Sequence, residues 1–206
     1  MIDFLVRSNV TLQTVVDVGA APYTFRRSNT ADESGLQSTF RQLGPSAHYY
    51  GFEPGSLDFR NLQRIAATDR TVPAGHHHLY QLAVAGTPGM KRLLGEPTWR
   101  RQRSSGRSKG PWIPHWSEAS SPNTHTTNPR LDGLHQYRPV GWVNATTLDI
   151  FARHERLRVV DFVKVDTEGT EREVLLEGAA ELMHSRRLRT ILWEYADKVR
   201  TRREHT

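Results

Sequence analysis

Two carboxylates, Asp166 and Glu168, stand where the apolar stretch FVKV of residues 162–165 gives way to a polar turn and a helical pattern. A carboxylate so placed can take a proton from a hydroxyl or accept a hydrogen bond from one. The chain sets Asp17 and Gly19 at the end of TVVDVG, residues 14–19, and Glu53-Pro54 at the end of AHYYGFEP, residues 47–54. One carboxylate can accept from both hydroxyls of a ribose, which gives Glu53 a task. Gly19, followed by small Ala20 and Ala21, lets backbone come close to a ligand where a larger side chain would not. Each feature also has an ordinary reading: Asp17-Val18-Gly19 suits any strand-ending turn, and the helix dipole favours Glu168 in a first helical turn. Their shared placement at strand ends separates the two readings.

The elements that must position these groups alternate along the chain. Strands are predicted over 14–19, 47–54, 76–86, 159–166 and 190–196, rich in β-branched and aromatic residues and closed by Gly or Pro or by acidic turns. Helices are predicted between them. Leu36, Phe40 and Leu43 recur at helical spacing from a start near Ala31 or Asp32, and Ser56 is placed to cap a helix carrying Phe59, Leu62, Ile65 and Ala66. Thr146 or Thr147 can cap a short helix with Leu148, Ile150 and Phe151, and the helix entered through Thr167–Gly169 carries Val174, Leu175, Ala179 and Leu182. Glu171 and Glu173 read as solvated residues of that helix. Strand and helix in this rhythm give an α/β fold with a parallel sheet, in which ligands sit beyond the carboxyl ends of the strands. Ala83 at the third strand end and Glu194 at the fifth join the same rim. Neither GxGxxG nor GxxxxGK[ST] occurs, so the site suits a nucleoside carrying an amino acid better than one carrying phosphates.

Residues 87–141 break the rhythm. They are rich in Arg, Ser, Gly, Pro, Thr and His, and too long for an ordinary connection, so they read as a lid or a disordered insertion. Seven cations against Glu96 between residues 91 and 110 match the whole formal charge of +6. Cations interleaved with Trp99, Trp112 and Trp116 are also compatible with nucleic acid, but no RNA-binding module accompanies them. His115, His125 and His135 add possible general bases there. A basic tail follows at about 197–206. The absence of cysteine excludes disulfides, thiolate nucleophiles and thiolate metal sites. His76-His77-His78 lie on a predicted strand, where neighbours point to alternate faces, so no metal site is expected. No apolar run reaches membrane-spanning length, and the first residues lack the pattern of a secretory signal, so a cytoplasmic location is expected.

DVGA at 17–20, GFEP at 51–54, TTLD at 146–149, DFVKVDTEGTEREVLLEGA at 161–179 and ILWE at 191–194 resemble, in order, the motifs of FkbM-type S-adenosylmethionine-dependent methyltransferases. The likeness covers most of the chain outside 87–141. It implies a single domain over 1–206 with a Rossmann-like class I methyltransferase fold, a mostly parallel twisted sheet with helices on both faces. It further implies S-adenosylmethionine as cofactor and methyl transfer to a hydroxyl of a saccharide or secondary metabolite, a small-molecule or glycan acceptor. By the same likeness Asp17, Gly19, Ala20 and Ala21 would face the methionine part of the cofactor. Glu53 and Pro54 would lie at the ribose, Ala83 at the adenine, and Asp166 and Glu168 beside the transferred methyl. The chain departs from the family at Ala21-Pro22-Tyr23, where Asn and a second glycine are usual. It also departs after strand five, where a further strand pair is usual, so a homo-oligomer covering that edge is a possible partner arrangement. An RNA-directed enzyme or a non-catalytic interaction domain are the competing readings.

Overall fold

The computed structural model describes residues 12–20, 46–67, 75–95, 98–101, 112–115, 125–127 and 138–193. Five strands form one parallel sheet: β1 (Thr14–Val18), β2 (His48–Phe52), β3 (His77–Tyr80), β10 (Phe162–Val165) and β11 (Ile191–Trp193). Their order is β11-β10-β1-β2-β3. The direction of chain progress reverses between β1 and β10, which opens a crevice at their carboxyl ends. Crossovers connect the neighbours: β2 reaches β3 through α1 (Ser56–Ala66), and β10 reaches β11 through α3 (Glu171–Leu176) and α4 (Ala180–His184). Because the two crossovers run in opposite directions, the right-handed rule sends their helices to opposite faces.

Alternation along the strands divides the core accordingly. Val16, Val18, Phe52, Val163 and Val165 pack with Phe151 of α2 (Leu148–His154) and with Val174 and Leu182. Val15, Tyr49 and Phe162 pack on the other face with Leu12 and Ala47. The apolar positions predicted for the helix after β10 are all buried, although that helix is split in two. It also starts later than expected, at Glu171, because Glu168 and Gly169 hold left-handed backbone at φ 58° and 108° that a helix cannot include. The helix predicted between β1 and β2 lies outside the described residues.

The third predicted strand, 76–86, is two strands in two sheets. β3 ends at Tyr80, and β4 (Ala83–Val84) leaves to pair in parallel with β9 (Arg138–Thr146). Small Ala83, Ala85 and Ala145 pack together there, and the Ala85 N–H donates to the Thr146 carbonyl. β9 in turn pairs antiparallel with β5 (Gly89–Gly95), whose far end meets β8 (His125–Thr126). A separate ladder joins β6 (Thr98–Arg101) to β7 (Trp112–His115). Both ends of the segment 87–141 are thus strands of a second sheet, and Leu93 and Leu94 are buried in it.

Two side chains fasten the helices. Thr147 is the residue that caps α2, its Oγ1 accepting from Ile150 N at 3.1 Å. Ser56 does not cap α1, which starts after Gly55; its hydroxyl accepts from Gln81 Nε2 instead. Asp149, the last residue of TTLD, accepts from the backbone N–H groups of Glu181 and Leu182, both at 2.9 Å, and so caps α4 from α2. Asp149→Ala removes two hydrogen bonds to a carboxylate and is expected to cost about 2–3 kcal/mol. Denaturant unfolding checks it: Asp149→Ala should lower the midpoint far more than Asp58→Ala in the first turn of α1.

Candidate active site

The carboxyl ends of β1, β2 and β10 meet at a knot of backbone hydrogen bonds. Gly19 and Ala20 both donate to the Phe52 carbonyl, at 3.0 and 2.9 Å, and Asp166 donates to the Val18 carbonyl at 3.0 Å. Gly19 has φ 78°, and a Cβ on it would overlap the Asp166 carbonyl oxygen. A glycine is required on both counts. Ala20 is fully buried beside it, Pro54 is half-buried, and Ala21 lies outside the described residues.

Asp17 points to the sheet face opposite Val16 and Val18 and is 0% exposed. Its Oδ2 accepts from the Tyr49 hydroxyl at 2.9 Å. Its Oδ1 lies 3.4 Å from Nζ of Lys164, the residue beside it in register on β10. Lys164, itself buried, also reaches Asp166 Oδ2 at 3.1 Å and the Gly19 carbonyl at 3.4 Å. The ammonium therefore ties the carboxyl end of β10 to that of β1. Tyr49 reaches Asp17 because Gly51 has no side chain: a Cβ there would come within 2.9 Å of the Tyr49 hydroxyl. Burial raises the Tyr49 phenol well above its usual 10, and the Asp17 charge adds to the rise.

Glu53 follows β2 and is 7% exposed, with Oε1 accepting from Gly55 N at 2.6 Å. Burial is the main reason its carboxyl is pushed from an ordinary 4.5 up to about 8; Asp58 and Asp17 push the same way, while the Gly55 N–H and Lys164 oppose. Glu53, Asp17, Lys164 and Asp166 thus form one electrostatic group. Glu168 belongs to the loop that follows, in left-handed backbone. That loop is closed by Glu171, which is buried rather than solvated: its carboxylate accepts from the N–H groups of Thr167 and Gly169, both at 2.9 Å. A four-residue loop rich in donors needs an acceptor at its centre, and Glu171 supplies it.

Ala83 stands apart from this group, in β4 of the second sheet and buried against Ala145. Glu194 lies outside the described residues. His76 and His78 stack with His48 at the opposite end of β2 from Glu53, His48 Nδ1 lying 3.0 Å from His78 Nε2, while His77 sits edge-on to Tyr49. Burial is the main cause holding His48 and His78 below 6.5.

A family model described as the methyltransferase FkbM domain matches residues 17–199. The chain belongs to the FkbM methyltransferase family. The match runs straight through residues 87–141, which the motif resemblance had left out. It makes the β11-β10-β1-β2-β3 sheet the core of a class I methyltransferase fold. Neither a curated protein nor a solved structure matches the chain. Sequence reasoning passes over Lys164 and Tyr49, the buried partners of Asp17. A lysine inside the otherwise apolar run FVKV was the available signal, since buried lysines require acidic partners.

Two outcomes follow from this geometry. Gly19→Ala is expected to cost about 3 kcal/mol or more, through left-handed strain and the overlap with Asp166, and to show in thermal melts. Glu53 keeps its proton in the folded chain up to about pH 8 and loses it near 4.5 when unfolded. Between those values the folded state binds the extra proton, so its contribution is fullest below 4.5 and is lost as pH rises to 8. The stability of wild type relative to Glu53→Gln should therefore fall by up to about 1.4 kcal/mol per pH unit from pH 5 to 8. Parallel curves for the two proteins would refute the burial of that carboxyl.

Proposed function

We propose that the protein is an S-adenosylmethionine-dependent O-methyltransferase acting on a hydroxyl of a saccharide or secondary metabolite. The observation that carries this reading is the gathering of a nearly buried carboxyl, Glu53, with Asp166 and the tight Gly19 turn on one crevice where the strand order reverses. The residues fit the cofactor: Glu53 can accept from the hydroxyls of a ribose. When bound, S-adenosylmethionine supplies an electrophilic methyl on a sulfonium.

The chain's own part is to orient the acceptor oxygen in line with that methyl and to take its proton. Asp166 and Glu168 divide these tasks. Asp166 is ion-paired to buried Lys164, which fixes the carboxylate as part of the crevice wall. Glu168 sits in a backbone conformation that costs about 1–3 kcal/mol for a residue other than glycine, and such strain gathers where a side chain must be aimed. In this reading Glu168 accepts the proton of the acceptor hydroxyl. The reading includes a cytoplasmic location and a second copy of the chain over the β11 edge, where Trp193 is 46% exposed. Among the described residues no helix is long and apolar enough to cross a membrane.

Calorimetric titration with S-adenosylmethionine and S-adenosylhomocysteine tests the cofactor. Wild type should bind both, and Glu53→Ala should weaken each by about tenfold or more. No binding by wild type ends the proposal; binding indifferent to Glu53→Ala moves the ribose elsewhere. Glu168→Gln should lower methyl transfer by about 10²–10⁴ with cofactor affinity kept, whereas Asp166→Asn should loosen the cofactor. The reverse pattern would exchange their roles.

A further inference from the structure

A concave site lies between β5 and α3, with a volume of about 370 Å³. That is within the ~300–1,000 Å³ of small-molecule sites. Its walls come from different parts of the fold. Thr170, Glu173 and Glu177, three and four residues apart, line it from the α3 side. Lys91, Arg92 and Leu94 line it from β5. The turn Ala85-Gly86-Thr87 joins the walls, and it lies tight on α3 because two glycines meet there. A Cβ on Gly178 would collide with the Ala85 carbonyl, and one on Gly86 would come within 2.7 Å of Glu177 Oε2.

The chemistry of the walls is complementary and partly unspent. Among the described residues, the carboxylates of Glu173 and Glu177 make no ion pair or side-chain hydrogen bond. Thr170 is 7% exposed, and its buried Oγ1 has no hydrogen-bond partner. Opposite them Lys91 donates to Thr87 Oγ1 at 2.8 Å, which uses one of its three N–H groups. Acceptors thus face cationic donors across a cavity that a small molecule can enter. A flat apolar ring would cover these groups without satisfying them, at a cost of about 1–3 kcal/mol each. A ring bearing hydroxyls all round it satisfies both walls.

We propose that this cleft binds the methyl acceptor and that the acceptor is a saccharide, with Glu173 and Glu177 accepting from its hydroxyls and Lys91 donating to them. The proposal rests on the methyltransferase reading above and selects one of its two acceptor classes. Thr170 links the two sites, since it ends the loop that carries Asp166 and Glu168.

Saturation-transfer NMR on the full chain tests it, with methyl glycosides of a neutral, an amino and an acidic hexose as probes and a flat phenol as comparison. Each is run with and without S-adenosylhomocysteine. At least one glycoside is expected to bind wild type, and the E173Q/E177Q double variant to bind it about tenfold or more weakly. Lys91→Met should weaken it too, while S-adenosylhomocysteine affinity changes less than about twofold in either variant. A phenol that binds where no glycoside does overturns the proposal. So does glycoside binding that both variants retain in full. Failure of S-adenosylhomocysteine to bind strikes the cofactor reading instead, and the glycoside spectra without it still decide this one.

Discussion

A single buried ammonium holds the crevice together. Lys164 lies against Asp17, Asp166 and the Gly19 carbonyl at 3.1–3.4 Å, in a strand whose neighbours Val163 and Val165 are 0% exposed. A charge out of water is tolerable only with partners, and removing one partner of such a set strands the others. The fold brings three acidic groups, Asp17, Glu53 and Asp166, to one end of one sheet, and Lys164 is the cation that makes their proximity affordable. It does so unequally. Asp17 and Asp166 have it at ion-pair distance, whereas its pull on Glu53 is the smallest of the influences there and is outweighed by burial.

That inequality separates wall from working group. Asp17 is fully enclosed, with Tyr49 and Lys164 as its partners, so its charge is met inside the protein. The arrangement needs Gly51, whose missing side chain lets Tyr49 lean along its own strand to the aspartate, and Gly19, whose missing side chain lets β1 close on Asp166. The glycines of DVGA and GFEP therefore serve contacts inside the protein.

The parallel sheet, its five strands and the rim of acids were legible because the strands are compact runs rich in β-branched and aromatic residues, most of them followed by an acidic residue. The strand ends Asp17, Glu53 and Asp166 do meet. What was not legible depends on side chains crossing between elements. Glu171 reads as solvated from helical spacing, yet the loop in front of it turns back over its carboxylate. Asp149 reads as part of a first turn, yet it caps a helix some 30 residues later. The second sheet escaped because β5 and β9 carry Lys91, Arg92 and Trp142 on half-solvated strands. Such strands give weaker alternation than buried ones, and no turn chemistry announces partners 50 residues apart. The switch of sheets after Tyr80 is hidden in HHHLYQLAVAG because nothing in those residues forbids one continuous strand.

The two sheets divide the molecule by the character of their open surfaces. The parallel sheet presents a narrow crevice in which one carboxyl, Glu53, is held protonated to about pH 8 by lack of water rather than by lack of donors. A polar ligand entering that crevice brings hydroxyl donors where water had been excluded, and hydrogen bonds from a ribose favour the carboxylate form. Donors brought to Glu53 would therefore act against the burial that raises its pKa. The second sheet works the other way. Its residues at the cleft beside α3 stay partly solvated, and Lys91 and Glu173 keep their ordinary bonding capacity for whatever is exchanged there. A tight, dry crevice on rigid parallel strands suits a cofactor of constant shape. A wetter cleft on a sheet with a bulge between Leu93 and Leu94 suits a molecule that must enter and leave.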